Sequence, residues 1–189
     1  GDTRVVQTDL IPMLREHSSD KVLLDLVLRL LVNLTSPALL VFHQEVPEDK
    51  TGRQMYMRLI VQQQGFKEAF TEAGVWASIA SILGAGLQQE GDRDDDTNLL
   101  VEMCLVLLRN VLAVAPGRQD DTRTHDDADL HDQVLWSLHL AGLPDLLLYL
   151  ASTQHEADLS MHTLEIISLM LRQQDPQALA TSALHRSKE

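Results

Sequence analysis

Apolar residues in this chain recur three and four positions apart along almost its whole length, and alternate every second position almost nowhere. That spacing matches a helix of 3.6 residues per turn and does not match a strand. The chain must therefore bury helical stripes against one another, and an all-α fold is expected. Composition agrees with this. Aromatic residues are only 4% of the 189 residues. Leu and Val must fill the core, a choice that suits helices better than a sheet sandwich.

The stripes place helices at about 3–16 (Val5, Val6, Leu10 and Leu14, with Pro12 at its middle), 20–35, 51–64, 66–72, 74–89, 97–113, 129–141, 143–152 and 158–173. Asp20 is positioned to cap the second helix, and Asp25 and Arg29 are four residues apart in the favourable order for an ion pair. Gly65, Gly74 and Gly142 read as breaks between helices, and residues 38–43 as a short turn or helix. Loops are expected at about 44–50, 90–96 and 115–127. Residues 90–132 hold twelve acidic and four basic residues. The two acidic loops within this span are expected to be solvated.

The strong helices repeat one another. Asp25 aligns with Glu102 and Glu165, Asn33 with Asn110 and Gln173, and Leu30-Leu31 with Leu107-Leu108 and Met170-Leu171. Two linkers also match, Glu72-Ala73-Gly74-Val75 and Leu140-Ala141-Gly142-Leu143-Pro144, each followed by an apolar helix. This alternation resembles the armadillo repeat. The resemblance implies an armadillo/HEAT-like right-handed α-solenoid of a single domain, 1–189, in which each unit buries its apolar face against its neighbours. In such a stack equivalent positions line up. Asp25, Glu102 and Glu165 would form a ladder of carboxylates, and Asn33, Asn110 and Gln173 a ladder of amides. These six are the candidate partner-binding residues. The alternative is that the amides bond neighbouring backbone and that the acids pair with arginines. Arg29 is in reach of Asp25 on its own helix, whereas Arg109 and Arg172 lie seven residues from Glu102 and Glu165, too far for direct contact.

Catalytic signatures are scarce, and no enzyme, cofactor or small-molecule substrate is expected. Cys104 lies between Met103 and Leu105 without a cationic neighbour and reads as a buried structural thiol. His125 and His131 with interleaved carboxylates could ligate a divalent ion, but a solvated loop capped by Asp127 or Asp129 is the favoured reading. The Asp92–Asp96 run lacks the glycine and the bidentate glutamate of a calcium loop. Trp76 and Trp136 read as core anchors. The net charge of −13 argues against a generic binder of DNA or anionic membranes. The start, Gly1-Asp2-Thr3-Arg4, has no signal-peptide form, and an internal fragment is expected.

Longer blocks carry a more specific resemblance. They are Val32-Asn33-Leu34-Thr35, Lys67-Glu68-Ala69-Phe70, Asn98-Leu99-Leu100-Val101-Glu102, Leu107-Leu108-Arg109-Asn110-Val111-Leu112, His131-Asp132-Gln133-Val134-Leu135-Trp136, His139 through Leu150, and Leu164-Glu165-Ile166-Ile167-Ser168-Leu169-Met170. In this order they resemble the N-terminal region of the Timeless family. The resemblance implies a nuclear, non-enzymatic replisome scaffold. It would pair with Tipin as the fork-protection complex, with the replicative helicase and Claspin as further partners, and support checkpoint signalling and cohesion. It also admits a circadian role with Period or cryptochrome, and a generic peptide-binding adaptor remains the third possibility. The acidic charge places most DNA contacts outside this stretch.

Overall fold

In a computed structural model, residues 4–17, 19–88, 93–115, 128–172 and 174–186 are described. The described residues form helices and contain no strand. A π-helical turn, Val6–Leu10, runs into α1 (Ile11–Glu16). Pro12 does not break the helix: the Ile11 N–H reaches back five residues to the Val6 carbonyl, and the widened turn accommodates a ring that offers no N–H of its own. Then come α2 (Lys21–Thr35), α3 (Ala38–Val41) and α4 (Lys50–Glu68). The 3₁₀ turn Ala69–Thr71 leads to α5 (Ala73–Leu87) and α6 (Asp95–Ala113). The series ends with α7 (Leu130–Leu140), α8 (Leu143–Ser152), a 3₁₀ segment Gln154–Leu159, α9 (Ser160–Leu171) and α10 (Pro176–Arg186).

Side-chain caps set several of these starts. The Asp20 carboxylate accepts from the Val22 and Leu23 amides, Asp49 from Gly52, Asp94 from Thr97 and Asp129 from Asp132. Two expectations are corrected here. Gly65 does not separate two helices. It lies inside a continuous α4, because a lone glycine weakens a helix without breaking it. Helix α10 was not anticipated; its weak apolar pattern buries none of its described side chains.

The repeated helices do become neighbours. Helix α6 lies between α2 and α9, and α5 lies between α1 and α8; α4 packs against α7. Within each unit, α1 contacts α2, α5 contacts α6 and α8 contacts α9. The chain turns by 81° from α4 to α5 and by 76° from α7 to α8. The second turn uses Gly142 in the left-handed region at φ 74°, where a side chain would be strained. The core runs through these layers, with Leu28, Leu31, Phe70, Trp76, Ile79, Leu105, Leu107, Leu108, Leu138 and Ile166 all buried. The Trp76 ring packs 5.3 Å from Phe70 and its Nε1–H donates to the Phe70 carbonyl at 2.7 Å. Trp136, by contrast, is 58% exposed and is not a core anchor. It sits on the outer side of α7, while Val134 and Leu138 point inward. Among the described residues no single helix is long and apolar enough to cross a membrane.

Candidate functional site

Five of the aligned polar residues lie on three neighbouring helices: Asp25 and Asn33 on α2, Glu102 and Asn110 on α6, and Glu165 on α9. On α2 the Arg29 Nε donates to Asp25 Oδ2 at 2.8 Å, and the hydrogen bond holds the guanidinium above its ordinary pKa. The exposed Asn33 amide donates back to the Arg29 carbonyl at 2.8 Å. On α6 Glu102 is exposed, with Oε1 3.5 Å from His162 Nε2 of α9. That contact is an ion pair only when the imidazole is protonated. Glu165 on α9 pairs in the other direction, accepting from Arg109 of α6 at 3.4 Å. Asp25 thus finds a partner one turn away on its own helix. Glu102 and Glu165, which have none there, find theirs across the α6–α9 seam. Asp25 and Glu165 are each paired with an arginine, whereas Glu102 keeps its charge beside an imidazole that neutralises it only when protonated.

The amides divide differently. Asn110 is buried, and its Nδ2 donates to the Val32 carbonyl at 3.2 Å and lies 3.4 Å from Thr35 Oγ1. It ties α6 to the last turn of α2 and exposes no amide to a partner. Asn33 remains at the surface. Gln173 lies outside the described residues, as does His125.

A second polar cluster, which the sequence did not reveal, closes the C-terminus of α6. A helix end leaves carbonyls without donors. Lys67 Nζ of α4 donates to the Val114 carbonyl at 3.2 Å and to His131 Nδ1 at 3.2 Å. Arg172, at the end of α9, donates to the Leu112 carbonyl at 2.8 Å and to Val114 at 3.4 Å. Lys67 is 3% and His131 4% exposed. Burial, reinforced by the Lys67 and Arg172 charges, pushes the His131 pKa down; Asp129 and Asp132 oppose this. This environment favours the neutral imidazole, and in that form Nδ1 is the acceptor for the Lys67 ammonium. Among the described residues no group of three or more His, Cys, Asp or Glu side chains is placed to hold a metal ion.

A third contact qualifies the expectation of a solvated 90–96 loop: residues 90–92 lie outside the described residues and Asp94, Asp95 and Asp96 are exposed, but Arg93 is held. Arg93 makes a two-pronged ion pair with Glu156, with Nη1 to Oε1 at 2.8 Å, and donates through Nε to Asn98 Oδ1 at 2.8 Å. Both partners of the ion pair are largely buried, at 15% and 9% side-chain exposure. The end of this loop anchors the start of α6 to the 3₁₀ segment before α9. A lone arginine in an acidic run carried no signal of this. Cys104 is fully buried, and burial raises its thiol pKa to about 12. It is no nucleophile in this state.

A family model described as Timeless protein matches residues 1–189. The chain is 43% identical over 181 residues to the protein timeless homolog of Mus musculus, and 42% identical over 181 residues to that of Homo sapiens. Each alignment covers 95% of this chain and 15% of the relative. The protein timeless of Drosophila melanogaster is 29% identical over 185 residues, covering 92% of this chain and 13% of that protein. The chain spans about 15% of the length of the mouse and human relatives.

Proposed function

This chain belongs to the Timeless family, and on that premise we propose that it is a non-enzymatic interaction scaffold of the replisome. It works in the nucleus as part of a fork-protection complex with Tipin. The helicase and Claspin are engaged by the same assembly, and DNA is held mainly outside this acidic stretch. The helix layers build an armadillo-like right-handed α-solenoid, of which α4–α5–α6 and α7–α8–α9 are successive three-helix units. Support comes from the adjacency of α2, α6 and α9, three helices of one sequence register.

The observation that carries the scaffold reading is the adjacency of α2, α6 and α9 together with the exposure of the acids they bear. Asp25, Glu102 and Glu165 recur at equivalent positions and remain partly exposed, with side-chain exposures of 31%, 52% and 56%. A partner's Lys or Arg can compete for carboxylates already oriented by Arg29, His162 and Arg109. Such charges set encounter rate and register more than raw affinity.

The test compares the full chain with its Asp25→Asn, Glu102→Gln, Glu165→Gln variant in titrations with purified Tipin and with a Period fragment. Tipin binding that weakens in the variant and loses part of its salt dependence supports the reading. Period binding without Tipin binding assigns the clock role instead, which similarity to the Drosophila protein makes the second reading. Tipin affinity unchanged by the triple variant removes this face from the interface.

A further inference from the structure

We propose that the outer face of α4, away from the carboxylate column, is a docking groove for an acidic, hydrophobically anchored segment of a partner protein. Two adjoining concavities run along this face, of about 990 Å³ and about 680 Å³, and share Met57 and Arg58. Helical spacing puts Lys50, Arg53, Met57, Val61 and Gly65 on one side of α4. Met57 and Val61 are 49% and 64% exposed, so the floor is apolar and unpartnered.

The rim is basic. Arg4 and Arg58 border the larger concavity, and Lys50 and Arg53 the smaller. All four are exposed. None of them makes an ion pair among the described residues, whereas Arg15, Arg29, Arg93 and Arg109 each do. Two acids, Glu48 and Glu68, also line the groove. The patch is therefore net positive within a chain of net charge −13. Unpaired cations gathered in an acidic protein are complementary to an acidic segment, and the exposed thioether and isopropyl groups offer it apolar anchorage.

Gly65 supplies an independent sign. Glycine in a helix interior is less favourable than alanine. A Cβ at Gly65 would meet nothing within 4 Å, so packing inside this chain does not require the glycine. It lines the larger concavity, where the missing side chain lets another backbone come close to α4. A nucleic acid fits this face less well. A uniform polyanion would meet Glu48 and Glu68 and would gain nothing from Met57 and Val61.

The experiment measures fluorescence anisotropy of the full chain with three probes. These are a labelled amphipathic peptide of leucine and glutamate, the same peptide with lysine for glutamate, and a short duplex DNA. The glutamate peptide is expected to bind and the lysine peptide not. Arg53→Glu with Arg58→Glu should weaken the glutamate peptide by about tenfold or more. Val61→Ser and Gly65→Ala should each weaken it as well, with helical circular dichroism unchanged. The proposal is overturned if the glutamate peptide does not bind, if its affinity survives the double charge reversal, or if the DNA binds instead and is lost in the same variants.

Discussion

Lys67 and His131, 64 residues apart in sequence, meet 3.2 Å from one another in the interior, with the lysine donating to the imidazole Nδ1. The buried lysine is held by the Val114 carbonyl at the end of α6, where the helix dipole is negative. A neutral imidazole completes that cap; a protonated one would add a third positive charge beside Lys67 and Arg172.

The pH dependence follows from this. The folded pKa of His131 lies below its unfolded value, so the unfolded chain binds the proton more readily. The contribution is fully present above the unfolded pKa of about 6.5 and is lost as pH falls below it toward the lowered folded value. Urea unfolding between pH 5 and 8 should show stability declining on the acid side, with a smaller decline in His131→Asn. Identical pH profiles for the two proteins would refute the assignment.

Two glycines should respond in opposite directions to alanine. At Gly86 a Cβ would lie 2.6 Å from Val101 Cγ2, where α5 and α6 approach closely. Gly86→Ala should destabilise by about 1–3 kcal/mol through overpacking. Gly65→Ala, entering open space in a helix interior, should stabilise by up to about 1 kcal/mol. Urea denaturation of both variants decides this, and a destabilised Gly65→Ala would show that its site is not free.

Two ion pairs should differ in worth. Arg93–Glu156 is largely buried, while Arg15–Glu72 has side chains 48% and 66% exposed. Removing Glu156 as Ala leaves a buried guanidinium unpaired and should cost about 3 kcal/mol or more. Glu72→Ala should change stability by less than about 0.5 kcal/mol. Comparable losses in thermal unfolding would contradict the burial argument. Deleting residues 91–95 should destabilise for the same reason, because Arg93 and the Asp94 cap would go with them.

Cys104 should resist a thiol reagent at pH 8 in the native protein and react quickly in denaturant, given its burial and a pKa raised to about 12. Native-state labelling as fast as that of a free thiol would mean that α6 opens readily.

Local chemistry alone settled much of this protein. The 3.6-residue spacing of Leu and Val specified helices, Asp20 marked one helix start and Asp127 or Asp129 another, and the Asp25–Arg29 pair was readable because both ends lie on one turn. The repeat register also identified α2, α6 and α9 as equivalent, and they do pack side by side. Periodicity could not say which side of Trp136 meets a neighbour, since its apolar context is the same whether or not a helix covers it. Nor could it show that Gly65 would stay helical, or that Asn110 would turn inward to the α2 carbonyls. Lys67, His131 and Arg172 come from three separate helices, as Glu165 and Arg109 come from two. Their partnerships depend on where helix ends fall in space. A linear pattern records faces and caps within an element; which orphan carbonyl a distant lysine will satisfy is decided only when the elements pack.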